Sequence, residues 1–475
     1  MSSLKQHPEL IELQALAKAR RVSLFLVGGY WRDSFLGRSS RDLDFAVSKN
    51  AIVLARAFAK KIRGAFVLLD KESGCARVAK KHTDGIWTYD FADFRAPTLK
   101  GDLAKRDFTV NTLCAGLNEA LLDAAPKLDG HRYARRDIKA KLVRMVSAKA
   151  LAEDPLRLLR AFTLKAQFGF RIEPKTRAAI KKGARRIRDV SIERVRDELF
   201  KILGAPEGYA AFREMDGIGF LLEVIPQLKI MRDVPQGGYH HLNVWEHSLE
   251  TFRQFDLLLQ EFADDPDMQA YLNEDVGGAH TRRALVRLAC MLHDIGKPDT
   301  RKKEPDGRTS FHGHEHEGRR IARIVAYQLK LSVRERHALE DMVTLHLRPG
   351  YLSNFKRPSD KAVYRFMRAA KDEAASIILL ALADQRSTRG PLTTEYDLLH
   401  HDAINRPLIA QYFNKKKEKP FVRLLSGHDL IKEFKLEPGP VFATILMKVE
   451  EAQQLGKVKT KAEAVVLAKK LVGGC

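Results

Sequence analysis

The stretch Phe25–Val47, FLVGGYWRDSFLGRSSRDLDFAV, constrains the fold of this chain more than any other. An apolar run, Phe25-Leu26-Val27, stops at Gly28-Gly29 and leads into Arg32-Asp33, the pattern of a strand, a tight turn and a helix start. Glycines at such a turn let backbone N–H groups approach phosphate oxygens, and a helix N-terminus adds positive potential, so the turn suits a triphosphate. The next strand, Asp42-Leu43-Asp44-Phe45-Ala46-Val47, carries two carboxylates. Side chains two apart on a strand share a face, so Asp42 and Asp44 point one way while Leu43 and Phe45 point into the protein. Like charges on one face call for a cation between them. Magnesium suits the place, because it takes carboxylate oxygens and keeps positions open for phosphates and water.

GGYWRD followed by RDLDFAV resembles the head of class II tRNA nucleotidyltransferases, the CCA-adding enzymes, and of bacterial poly(A) polymerases. The resemblance implies a small mixed-sheet head that uses two metals at Asp42 and Asp44, with Gly28, Gly29 and Arg32 at the nucleotide. Residues 105–113, KRDFTVNTL, are similar to the family's RRDFTxNAL, with Lys105 for arginine and Thr112 for alanine. This implies Arg106 on the triphosphate and Asp107 and Asn111 at the ribose. Their spacing of four would put Asp107 and Asn111 on one helical face.

A partner for such a head is indicated by charge. The 475 residues carry a formal net charge of +23, which gains affinity for a polyanion by releasing condensed counterions. Four scattered cysteines, Cys75, Cys114, Cys290 and Cys475, form neither a zinc knuckle nor a disulfide framework, and a reducing cytoplasm fits. The N-terminus lacks a signal-peptide core, and no apolar stretch approaches membrane-spanning length, so no membrane partner is expected.

Around the acidic strand the pattern predicts helices over Pro8 to Arg21 and Ala51 to Arg63, a buried strand at Ala65 to Leu69, and a strand at Trp87 to Phe94. Asp90 becomes a third carboxylate of the site if its strand lies beside Asp42–Val47. Arg77 is a candidate phosphate contact, and an exposed strand arginine fits the same letters. From about Lys141 the pattern is almost wholly helical. In EDPLRLLRAFTLKAQFGFR, Asp154, Arg157 and Arg160 recur every three residues and so line one helical face. Adenine and cytosine both present an amino donor beside a ring-nitrogen acceptor, where guanine and uracil present a carbonyl. A carboxylate with a guanidinium therefore accepts A and C and rejects G and U. EDPLR also resembles the family's EDxxR base-reading motif. Ser191 reads as the N-cap of the helix SIERVRDELFKIL, where Ser191 and Arg194 support the helix.

Farther on, His247, His293, Asp294, His314, His346 and Asp384 each adjoin an apolar helical stretch. An adjacent His-Asp pair at the end of an apolar stripe is costly to bury unless hydrogen-bonded or bound to metal. The order resembles the HD superfamily of metal-dependent phosphohydrolases. It implies His247, His293, Asp294 and Asp384 around one metal, with His314 and His346 completing a second. Imidazole and carboxylate donors suit several divalent transition metals, so the ion stays open. His312 and His316 read as solvated, Asp264 to Asp275 as an acidic loop, and Asn414 to Pro420 as a basic linker. The final stretch is similar to the C-terminal segment of HD-containing nucleotidyltransferases, which implies that Gly439-Pro440 is a turn joining two tail helices.

The expected fold is α+β: a mixed-sheet nucleotidyltransferase head (22–145), then an all-helical neck for nucleotide selection and RNA binding (146–235), an HD domain (236–390) and a helical RNA-binding tail (391–475). The resemblance implies addition of CMP and AMP to the tRNA 3′ end from CTP and ATP. The alternatives are poly(A) polymerase, though a basic Gly-Arg-Arg-Phe-like stretch is lacking, a CC-only or A-only adding enzyme, and an HD phosphohydrolase with a non-catalytic RNA-binding head.

Overall fold

The computed structural model describes residue 4 and residues 7–123, 125–238, 240–418 and 421–472. Compact contacts divide the chain into two units that meet in sequence at Val224 and Ile225.

The first unit is built on a six-stranded sheet: β1 (Leu24–Val27), β2 (Asp42–Val47), β3 (Ala65–Asp70), β4 (Cys75–His82), β5 (Gly85–Asp93) and β6 (Cys114–Gly116), in spatial order β3-β4-β5-β2-β1-β6. β2 and β5 are parallel and the other neighbours antiparallel, so the sheet is mixed. The alternation in β2 buries Leu43 and Phe45, and Phe45 stacks on Phe91 of β5 with ring centres 5.3 Å apart. Helix α1 (Pro8–Ala19) buries Leu10, Leu13 and Ala17. Helix α2 (Gly29–Phe35) leaves the β1 turn, and helix α3 (Ala51–Ile62) sets Phe58 edge-on against Tyr89 and Phe91. With that face covered, the acidic face of β2 is left to the cavity described below.

Several local expectations are corrected. β3 is a strand but not a buried one: it lies at the sheet edge, and Val67, Leu68 and Leu69 are each about half exposed. Asp107 and Asn111 do not share an α-helix; the chain passes through a turn into the 3-10 turn Thr109–Asn111. The segment after Lys141 is mostly helical, as expected, with Leu142–Val143 and Arg171–Ile172 pairing as short parallel strands. Asp154 does not share the helical face of Arg157 and Arg160. Ala148–Glu153 ends, Asp154 is extended, and Leu156–Phe168 begins after Pro155. Ser191 stands at the N-cap of Ile192–Gly204 but makes no side-chain cap.

In the second unit the helices Val244–Gln260, Arg282–Leu292, Val333–Leu345 and Ala374–Ser387 pack about a shared apolar core, to which Leu285, Leu288, Ala289 and Leu292 contribute. The acidic segment is not a loop. It holds helix Pro266–Asn273, capped by Asp265, which accepts from Met268 N–H at 3.0 Å and lets Tyr271 and Leu272 turn inward. Nor is Asn414 to Lys417 a linker: it is the last turn of helix Glu395–Lys417, while positions 419–420 lie outside the described residues. The tail helices Gly427–Phe434, Pro440–Gln454 and Lys461–Val472 share a cluster around Leu430, Ile445, Val449 and Ala464. Pro440 opens the second of these, past the Gly439 turn. Cys475 lies outside the described residues, and Cys75, Cys114 and Cys290 are free thiols. Among the described residues no helix is long and apolar enough to cross a membrane.

Candidate active sites

A cavity of about 560 Å³ opens in the first unit, and the candidate catalytic and nucleotide-binding residues named there from sequence line it. Its floor is the acidic face of β2 with the Gly28-Gly29 turn. Gly28 has φ +76°, and a Cβ built on it would stand 3.3 Å from Arg106 Nη1 and 3.5 Å from Asp44 Oδ2. The backbone conformation favours glycine, and an added Cβ would press on the end of the Arg106 side chain. Asp42 accepts from the Thr88 hydroxyl. Asp44 lies in register with Asp90 across the parallel β2–β5 pair, so β5 does bring its carboxylate beside the first two. Burial raises the Asp44 pKa above the ordinary carboxylate value, Arg106 opposes that, and Asp90 and Asp42 reinforce it. Like charges that push a carboxyl up are relieved by a divalent cation, and oxygen donors suit magnesium.

The opposite wall is an arginine frame. Arg32 donates from Nη1 to Asn111 Oδ1 at 2.7 Å, pairs with Asp33 at 2.8 Å, and lies over the Phe168 ring at 4.3 Å. Asn111 Nδ2 donates to Asp107 Oδ1 at 3.1 Å, and Arg160 Nε donates to Asp107 Oδ2 at 2.9 Å. Asp107 and Asn111 thus meet through a tight turn rather than along a helix, and Arg160 is spent on Asp107. Arg157 is nearly buried, with Nη1 shared between the carbonyls of Lys105 and Ala150 at 2.8 and 2.7 Å. Those two bonds fix the guanidinium plane at the cavity wall. Asp154 lies 3.9 Å from Arg157 Nε and is held more closely by Arg194, at 3.1 Å. Sequence reading missed this role of Arg194, whose partner lies 40 residues earlier.

In the second unit two groups of side chains converge closely enough to hold a metal ion: His247, His293 and Asp384; and Asp294, His314 and His346. The head carboxylates are not drawn together to that degree. The structure moves Asp294 to the second group but leaves it facing both. Its Oδ2 is 3.2 Å from His293 Nε2 and 3.5 Å from His247 Nε2; its Oδ1 is 3.4 Å from His314 Nε2 and 3.9 Å from His346 Nε2. His293, His314 and His346 each turn Nδ1 to a carbonyl three residues back, at 3.0, 2.8 and 2.7 Å. A donating Nδ1–H leaves the Nε2 lone pair for a metal, so the orientation is the one ligation needs. His293 Nε2 is buried and without a hydrogen bond of regular geometry. Burial lowers the pKa of His346 to about 3, which keeps that ring neutral and ligand-ready.

Two neighbours escaped sequence reading. Lys297 bonds Asp294 Oδ2 at 2.6 Å and Gln236 Oε1 at 2.7 Å, and His240 sets its ring against His247 at 4.7 Å. Lys297 was findable, three residues past Asp294 at a helix end. Asp294, His346 and Asp384 all open on a cavity of about 420 Å³. His312 and His316 are exposed, as expected.

Known protein families match three stretches of the chain. Residues 24–144 match the model of the poly A polymerase head domain, residues 169–231 that of the probable RNA and SrmB-binding site of polymerase A, and residues 244–389 that of the HD domain. The class so defined is a nucleotidyltransferase head carried with an HD domain. The A-adding tRNA nucleotidyltransferase of Deinococcus radiodurans is 33% identical, covering 92% of this chain and 93% of its own. The CC-adding tRNA nucleotidyltransferase of Synechocystis sp. is 41% identical, covering 94% and 93%. Among solved structures, the Thermotoga maritima CCA-adding enzyme complexed with tRNA shares the fold at TM-score 0.59 and 18% identity, over 98% of this chain and 94% of that one. The chain belongs to the tRNA nucleotidyltransferase and poly(A) polymerase family.

Proposed function

We propose that the chain adds CMP and AMP to the 3′ end of tRNA from CTP and ATP, without a template, in the cytoplasm. The observation that carries this reading is that the acidic face of β2 and the Asp154–Arg157 pair line one cavity of about 560 Å³. Asp42 and Asp44 hold magnesium. When bound, it lowers the pKa of the RNA 3′-hydroxyl and neutralises departing pyrophosphate. The Gly28-Gly29 turn and Arg106 take the triphosphate, and Asn111 and Asp107 meet the ribose. Asp154 accepts from the amino group of cytosine or adenine while Arg157 gives to the ring nitrogen. Residues 22–145 form the head, 146–235 the neck, and the basic helices of 391–475 hold RNA. The test uses tRNA ending before CCA, after C and after CC, with CTP and ATP singly and together, and sequences the ends. The A-adding and CC-adding names of the relatives make a partial addition one readable result of that assay.

A second activity is favoured by Asp294, which faces both ligand groups of the HD unit. His247, His293 and Asp384 hold one divalent transition metal, and Asp294, His314 and His346 a second. A phosphate ester at an RNA end is the substrate, and phosphate release that vanishes in Asp294→Ala but not in Asp42→Ala tests it.

A further inference from the structure

Asp90 has both oxygens engaged before any ligand arrives. Arg77 Nε donates to Oδ1 at 2.6 Å and Nη2 to Oδ2 at 2.7 Å, a forked pair between register partners of β4 and β5. On the other side of β5, Asp90 is the register partner of Asp44. Residues in register on neighbouring strands share a face, so Arg77, Asp90 and Asp44 stand in a row on the cavity wall. Arg77 feels three of these carboxylates: its hydrogen bond to Asp90 raises its pKa, and the charges of Asp42 and Asp44 add to the effect.

The pair is not needed to join its strands, because β4 and β5 are laddered from Cys75–Ala92 to His82–Gly85. The side chains are 44% and 27% exposed, a setting in which ion pairs exchange partners at small cost. A divalent cation beside Asp44 competes for the same two carboxylate oxygens. A triphosphate entering with it offers the guanidinium replacement oxygens in the geometry a planar fork prefers.

We propose that Arg77 is a positioning residue that serves as a built-in counter-cation for Asp90, yielding Asp90 to the divalent metal and moving to the phosphates of the incoming nucleotide. This rests on the nucleotidyl-transfer reading above. Free Asp90 then completes the ligand face begun by Asp42 and Asp44, and the site binds metal and nucleotide together rather than metal alone.

The test is a Mn²⁺ titration of the full chain followed by electron paramagnetic resonance, with head-site binding taken as the part abolished by Asp44→Asn. Arg77→Gln is expected to tighten that binding about threefold or more while KM for CTP rises about fivefold or more and kcat changes less. Arg77→Lys, with charge but no fork, falls between. The gain vanishes in Arg77→Gln/Asp90→Asn. Unchanged or weaker Mn²⁺ binding in Arg77→Gln overturns the inference, as does a gain that persists without the Asp90 carboxylate. Failure of the wild-type chain to incorporate CTP or ATP overturns the underlying reading instead, whereas normal incorporation with an unmoved Mn²⁺ affinity overturns this inference alone.

Discussion

Arg194 donates from Nη2 to both oxygens of Asp154, at 3.1 and 3.3 Å, across the break that Pro155 puts in the neck. The acid expected to meet the base therefore owes its position to the Ile192–Gly204 helix, while Arg157 is fixed by backbone carbonyls. Two readers held by different partners form one edge only if both supports are intact.

Arg194→Ala is expected to free Asp154 without unfolding the unit. Loss of this exposed ion pair, about 1 kcal/mol, corresponds to roughly a fivefold rise in KM for CTP and ATP. Steady-state kinetics at saturating tRNA check this, and misincorporation of GTP or UTP is expected to rise in parallel.

Gly28→Ala places a methyl group against Arg106 at a residue with φ +76°. Strain of about 1–3 kcal/mol and lost space for phosphate both act at the nucleotide. Nucleotide KM is expected to rise at least about tenfold, with tRNA affinity by gel shift unchanged.

The Asp107–Arg160 pair gives a pH dependence. Burial works to raise the Asp107 pKa, but Arg160, Asn111 and the Phe108 N–H together hold it down to about 2. The folded value lies below the unfolded one, so the stabilisation is present above the ordinary carboxylate pKa near 3.8 and disappears as pH falls through about 2. Asp107→Asn is expected to cost about 1–2 kcal/mol near neutral pH, with a deficit that shrinks between about pH 4 and 2. Denaturant melts of both proteins across that range measure it.

Asp294→Ala removes the carboxylate that faces both histidine groups. Metal content per purified chain is expected to fall by half or more, and Lys297 is left buried without the carboxylate it pairs with. Such a loss costs about 3–5 kcal/mol, visible as a lower melting temperature. CTP incorporation by the head is expected to persist.

What the sequence made legible was local. A period of two fixed the face of Asp42 and Asp44, and glycines marked the phosphate turn. Non-local pairing was not legible. Whether Asp90 joins Asp44 depends on the β2–β5 register, whether Val67 to Leu69 are buried depends on which strand ends at the sheet edge, and the Arg194–Asp154 contact spans a helix packing that periodicity cannot give. The candidate histidines stood out because apolar helices rarely carry so many, and Lys297 lay within reach of the same reading, three residues past Asp294.

The claim on which the rest depends is that protein groups in a single cavity do the work of a template. The direct measurement is single-turnover incorporation of each of the four nucleotides into tRNA ends by the wild type, Asp44→Asn and Asp154→Ala/Arg157→Ala. The wild type is expected to take only CTP and ATP. Asp44→Asn should lose at least about a hundredfold in rate for both, and the double variant should keep transfer while losing discrimination. Retained C and A selectivity in the double variant, or undiminished transfer by Asp44→Asn, would contradict the account.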